Sequence, residues 1–194
     1  MMGMNIGYLN AGRGSESDEC MTPFYACKPL LKYIPKDWTI WCPCDEEWSA
    51  YYNIFKENGY NVIRSSIKEG QDFFEYEPDE HYDCIITNPP FSKKDKILKR
   101  LDELGKPFAI LLPMNSLQGQ SRYGVFKKGI QLLAFDKRIG FHTNGNMQTT
   151  AEGNHFASAY FCRGILPRDL ILEELVKYER PLIRKTECEE YSSN

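Results

Sequence analysis

Apolar residues recur along the chain with two alternating periods. From Thr22 to Tyr33, Phe24, Cys27, Leu30 and Leu31, with Ile34 just beyond, sit at three- and four-residue spacing. That spacing predicts a helix with Thr22 at its N-cap, Pro23 at its first position and Pro35 ending it. Trp38–Cys42 is a short β-rich run stopped by Pro43, a first buried strand. Residues 47–57 predict a helix with Trp48, Tyr51, Tyr52 and Phe55 on one side, closed by Asn58-Gly59. Residues 60–64 predict a second strand, 70–74 a loop or short strand end, 78–81 a turn, and 83–87 a third strand that Asn88-Pro89-Pro90 breaks. A helix over 95–104, capped by Ser92 or Asp95, turns Ile97, Leu98, Leu101 and Leu104 inward and stops at Gly105.

Further on, 107–112 predicts a strand ended by Pro113, 115–129 is mixed, and 130–135 and 137–141 are extended. A polar loop from His142 to Asn154 leads into a strand at 156–162, and 167–179 reads as helical. Alternation of this kind builds a mostly parallel sheet with helices on both faces, and the late strands add an antiparallel hairpin at its edge. Ligands on such sheets sit beyond the carboxyl ends of the strands, near the point where strand order reverses. The ends to inspect are Pro43–Asp45, Ser65–Ser66, Asp72–Phe74 and Asn88–Phe91.

The 194 residues suit one α/β domain over 20–180, flanked by a Gly-, Ser- and acid-rich segment at 1–19 and a polar tail at 181–194, both expected to be mobile. A net charge of -3 argues against broad, charge-driven nucleic-acid binding and leaves room for a local basic face. The seven cysteines are odd in number, and Cys42-Pro43-Cys44 has one residue between its thiols where redox and zinc motifs have two. No charged segment followed by a long apolar run opens the chain, and no stretch approaches bilayer length. The expectation is a reduced, intracellular protein without a metal site or a membrane partner.

Asn88-Pro89-Pro90-Phe91 carries the chemistry. Two consecutive prolines remove two backbone donors and fix two φ angles, so the loop is stiff and its carbonyls are left to accept. The Asn88 side-chain oxygen and the Pro89 carbonyl can then accept both protons of one amino group, which pulls its nitrogen out of conjugation and frees its lone pair for an electrophilic methyl. Phe91 offers a face on which a planar base can stack, worth about 1–3 kcal/mol for a nucleobase. Alone, Asn-Pro-Pro is more often a turn. Here it follows an apolar strand and precedes a helix, which favours the functional interpretation.

Residues 83–91, ending in that motif, resemble motif IV of the S-adenosylmethionine-dependent amino-methyltransferases, which act on adenine N6, cytosine N4, rRNA guanine or glutamine amides. The wider pattern is similar to small phage-borne adenine N6 methyltransferase-like proteins: Thr22-Pro23 before a helix, a strand ending in Cys42–Asp45, the Gly70–Phe74 segment, and a Lys137–Phe141 strand paired with Phe156–Phe161. The resemblance spans roughly 20–165 and implies a single Rossmann-like class I methyltransferase domain with a seven-stranded sheet. It implies S-adenosylmethionine as cofactor, DNA (or RNA) as partner, and the cytoplasm of a bacterial or phage-infected cell.

On that resemblance Thr22, Pro23 and Tyr25 close over the cofactor's methionine end, although a plain helix start accounts for them equally well. Pro43, Asp45 and Ser49 stand where a Gly-rich turn is usual; Asp45 would bond the cofactor's amino group and Ser49 would cap the next helix. Ser65 falls where an acidic ribose ligand is expected. Asp72 and Phe73 match the adenine-contacting pair. Lys93, Lys94, Arg122 and Asn144 are the candidate substrate contacts, with a solvated helix face as the plainer account of the lysines, and His142 and His155 read as surface residues. The departures at the cofactor positions keep a second function open, a catalytically degenerate binding module for nucleic acid or a host protein. No G-x-G-x-x-G follows the first strand, which argues against a Rossmann dehydrogenase.

Overall fold

The computed structural model describes residues 20–143, 146–150 and 156–183. The segment expected to be mobile at 1–19, the tail from 184 onward, Asn144 and His155 lie outside them. The helices are α1 (Phe24–Cys27, continuing as a 3-10 turn through Lys32), α2 (Ala50–Glu57), α3 (Lys94–Leu104) and α4 (Gln120–Phe126). The strands are β1 (Thr39–Pro43), β2 (Asn61–Ser65), β3 (Cys84–Thr87), β4 (Phe108–Pro113), β5 (Gln131–Phe135), β6 (Ser158–Arg163) and β7 (Leu170–Glu173). They form one seven-stranded sheet of order β2-β1-β3-β4-β6-β5-β7. Pairs β1–β2, β1–β3, β3–β4 and β5–β7 are parallel, and β6 runs antiparallel to both β4 and β5. No helix among the described residues is long and apolar enough to cross a membrane.

The central strands are apolar on both faces because helices cover both. Ile40, Cys42, Cys84, Ile86, Ala109 and Leu111 join Phe24, Ala26, Tyr51 and Phe55 of α1 and α2 in one core. Their alternate neighbours Trp41, Ile85, Phe108, Ile110 and Leu112 join Ile97, Leu98 and Leu101 of α3 and Val125 and Phe126 of α4 in a second. The alternation follows from the two-residue period of a strand.

Three expectations need correction at the C-terminal side. The antiparallel strand lies inside the sheet, and the edge belongs to β7, which is parallel to β5. Residues 137–141 form no strand, because the two edges of β6 are already taken by β4 and β5. Ile139 and Phe141 are buried instead, and the Tyr25 hydroxyl both donates to the Gly140 carbonyl (3.0 Å) and accepts from its N–H (2.8 Å). The helix read at 167–179 is a strand followed by chain without regular structure. Ile171 and Leu175 fit a helical spacing, but the open edge of β5 captures this backbone, with Leu132 N–H donating to the Asp169 carbonyl at 2.7 Å. Pairing overrides a short, ambiguous apolar pattern.

One buried polar link ties the first core to the sheet. The Tyr160 hydroxyl on β6 donates to the Ala26 carbonyl at 3.0 Å and lies 2.9 Å from the Tyr51 hydroxyl of α2. Tyr160→Phe strands these partners in the interior, and about 1–3 kcal/mol of stability should be lost. Denaturant titration checks this; an unchanged midpoint and slope would show that the link holds nothing.

Candidate active site

The chain runs from β1 to β2 on one side and then returns to β3 on the other. The carboxyl ends of β1 and β3 therefore flank the point where strand order reverses, where a crevice is expected. A cleft of about 230 Å³ opens there. Its lining comes from the ends of β1 (Cys44, Asp45, Glu46), β2 (Ser66, Ile67, Lys68) and β3 (Asn88, Pro89, Pro90). Trp48 and Ser49 before α2, Gln71–Phe74, and Cys20–Thr22 complete much of the wall, with Leu182 arriving from the C-terminal side.

Asp45 is the anchor of the floor. It is buried, and its carboxylate accepts from the Ser49 hydroxyl and, at 3.3 Å, from Thr87 at the end of β3. Its backbone N–H donates to the Ser65 carbonyl at 3.1 Å. Burial pushes the carboxyl up to about 7, against the downward pull of the Ser49 and Thr87 hydroxyls. Cys44, one residue earlier, is exposed and holds a left-handed φ of 65°, the conformation that a glycine takes most easily. Ser49 occupies the N-cap position of α2 but caps nothing with its side chain, since its hydroxyl goes to Asp45.

Asn88 is fixed by the N-terminal side. Its Nδ2 donates to the Cys20 carbonyl at 2.6 Å, while its Oδ1 is buried and has no hydrogen-bond partner. Cys20 stays in place through its neighbour Met21, which exchanges two backbone hydrogen bonds with His142 (3.0 and 2.9 Å). His142, expected at the surface, is fully buried. Its Nδ1 meets the Thr149 carbonyl at 3.2 Å, and burial lowers its pKa.

Of the sequence candidates, Thr22, Asp45, Ser49, Asp72, Phe73, Asn88, Pro89, Pro90 and Lys93 line the cleft. The others do not. Ser65 is fully buried and accepts from the Trp41 indole at 3.0 Å on the opposite face; Ser66 takes the cleft position. Tyr25 is committed to Gly140, and Pro23 and Pro43 are buried in the backbone frame, the Pro43 carbonyl accepting from Thr87 at 2.5 Å. Phe91 packs edge-on against Phe156 (5.6 Å) and Phe141 (6.3 Å) rather than into the cleft. Asn144 lies outside the described residues.

Part of the basic face is paired with carboxylates. Lys94 donates to the Phe91 carbonyl at 3.2 Å. Arg122 pairs with Asp95 at 2.5 Å and donates to the Ser116 carbonyl. Lys128 and Arg163 share Asp102, and Arg100 faces Glu77. The carboxylates that occupy Arg100, Arg122, Lys128 and Arg163 are distant from them in sequence. Lys93 lines the cleft, its ammonium 5.9 Å from the Phe74 ring centre.

No protein-family profile and no curated relative matches the chain. Among solved structures, a putative class I S-adenosylmethionine-dependent methyltransferase from Listeria monocytogenes is similar over 84% of this chain and 68% of its own, at 12% identity and a TM-score of 0.47. Precorrin 8w decarboxylase from Methanobacterium thermoautotrophicum is similar over 80% and 98%, at 10% identity and 0.43. Precorrin-6y C5,15-methyltransferase from Geobacter metallireducens is similar over 77% and 95%, at 12% and 0.38. Likenesses of this strength assign no activity.

The raised pKa of Asp45 has a signed consequence for stability. In the unfolded chain the carboxyl ionises near 3.8, and in the fold only near 7. Its contribution to stability is therefore intact below the lower value and is lost as pH rises through that window. Asp45→Asn removes this loss. The melting temperature of the variant relative to wild type should rise between about pH 4 and about pH 8. Thermal melts across that range decide the matter, and a flat or falling difference would contradict the assignment.

Proposed function

We propose that the protein transfers a methyl group from S-adenosylmethionine to an exocyclic amine, and that this amine is adenine N6 in DNA. The observation that carries the proposal is the Asn88 Oδ1, a buried acceptor without a partner at the end of β3 on the edge of the cleft. An amide oxygen left unmatched in a folded interior costs free energy unless a ligand donor fills it. Its Nδ2 is already spent on Cys20, so the side chain presents an acceptor and not a donor.

The cleft suits a cationic, adenine-bearing donor. Asp45, Glu46 and Asp72 line it and complement sulfonium and ammonium charge, although Glu46 is shared with Lys68 at 2.7 Å. Phe73 and Phe74 supply aromatic wall, and Ser66 stands where a ribose hydroxyl would be met. When bound, the cofactor supplies an electrophilic methyl. Asn88 Oδ1 and the Pro89 carbonyl accept the two amine protons and hold the nitrogen lone pair out of conjugation. Pro89 and Pro90 keep that geometry stiff, because neither can rotate freely about φ or offer a competing N–H. No strong base is needed if the proton leaves after attack. A duplex adenine must first be flipped out of its stack to reach the site.

Cys44 favours a second role, a binding module that has lost transfer. A side chain held left-handed occupies the turn where the resembled enzymes carry glycine, and serines rather than an acid stand at the end of β2. Calorimetry with S-adenosylmethionine separates the two, since a module without a cofactor site shows no heat at millimolar ligand.

Tritiated methyl transfer to double-stranded DNA, single-stranded DNA and RNA, run in parallel, tests the substrate. Asn88→Ala should lower transfer by about 10²-fold or more, by analogy with loss of one preorganised polar group, while cofactor affinity stays unchanged. Wild-type rates in that variant would remove Asn88 from the chemistry.

A further inference from the structure

The two edges of the sheet differ in kind. At the β2 edge, Asn61 and Arg64 interrupt the apolar run. Polar and charged side chains of this sort are the usual protection against pairing with another chain. The β7 edge has no such protection over Leu170–Leu172. Leu170 is 57% exposed, Leu172 73% and Val176, just beyond the strand, 70%. Ile171, between the two leucines, is buried in the core, and Glu173 is held by Lys32 at 2.7 Å and by the Tyr33 hydroxyl. The strand is thus well anchored inward and apolar outward.

Among the described residues its backbone is available as well. Asp169 and Glu173 turn their carbonyls to β5, accepting from Leu132 (2.7 Å) and Asp136 (3.1 Å). By the two-residue period, Leu170 and Leu172 turn their N–H and C=O groups to the open side. The sequence around them, Arg168-Asp169-Leu170-Ile171-Leu172-Glu173-Glu174, is complementary to itself when reversed about Ile171. Leu170 then faces Leu172 in both directions, and Arg168 faces Glu174. Moving the centre by one residue loses this match. Centred on Leu170, Arg168 meets Leu172; centred on Leu172, Leu170 meets Glu174 and Arg168 meets Val176. The one like-charge pair in the favoured register, Asp169 with Glu173, involves a carboxylate already compensated by Lys32.

We propose that β7 is a dimer interface, pairing antiparallel with β7 of a second copy about a two-fold axis at Ile171, so that two seven-stranded sheets become one. The exchanged bonds are Leu170 N–H to Leu172 C=O and Leu172 N–H to Leu170 C=O, made twice. The four leucines form an apolar centre, and the Arg168–Glu174 pairs close both ends, which is the self-complementary arrangement that a two-fold interface requires. Because the axis is perpendicular to the sheet, the two clefts open at opposite ends of the combined sheet. Each copy then works on its own ligand. The interface is independent of the methyl-transfer proposal.

Sedimentation equilibrium of the full chain across the micromolar range tests it. Wild type should run at twice the mass of one chain. Leu172→Lys should run as a monomer, with a circular dichroism spectrum close to wild type because the side chain lies outside the core. Arg168→Glu alone and Glu174→Arg alone should each weaken association at least tenfold, and the double swap should restore it. Restoration by the swap fixes the register, which loss of association alone cannot do. A monomeric wild type, a dimer indifferent to Leu172→Lys, or a double swap that stays weak overturns the proposal.

Discussion

A single buried carboxylate sets the floor of the cleft. Asp45 follows β1, accepts hydroxyls from Ser49 ahead of α2 and Thr87 at the end of β3, and donates its N–H to Ser65 at the end of β2. Three strand ends and a helix start are thereby held to one residue. The single Thr87 proton is shared across this gap, with the Pro43 carbonyl at 2.5 Å closer than the Asp45 carboxylate at 3.3 Å. A charged group in such a place is unfavourable for folding, and the upward pressure on its pKa expresses that cost. An amide would satisfy the hydroxyls at less expense. The carboxylate gives what an amide does not, a negative charge available to a cationic ligand close to neutral pH.

Much of the fold is legible in the sequence because the central strands are apolar on both faces and stop at prolines. Pro43, Pro90 and Pro113 mark the ends of β1, the β3 loop and β4, and Gly105 ends α3 in a left-handed cap. The cleft was legible for a related reason: strand–helix alternation fixes which ends of the strands face it. Three things were not. β7 carries a spacing that fits helix and strand alike, and only the free edge of β5 decides between them. Ser65 and Ser66 are adjacent, and strand parity sends the first to Trp41 and the second to the cleft; an error of one residue reverses the assignment. The pairing of Arg122 with Asp95 and of Lys128 with Asp102 joins segments more than twenty residues apart, which no local reading of charge detects.

The walls of the cleft differ from its floor. The floor is strand ends bonded into the sheet. The walls include Cys20–Thr22 and Leu182, which lie outside the helices and strands; backbone bonds there join Met21 with His142 and the Leu182 N–H with the Met147 carbonyl at 3.0 Å. Side-chain contacts add to the C-terminal hold, since Arg180 grips Glu57 with two nitrogens and lies 3.7 Å from the Phe24 ring centre. The N-terminal wall has the more direct bearing on chemistry. An Asn amide has two orientations that differ only in which atom faces the ligand. The Cys20 carbonyl accepts one of them and repels the other, so the acceptor atom of Asn88 is selected by the same segment that closes the cleft. One contact thereby sets both the orientation of the Asn88 amide and the place of this wall.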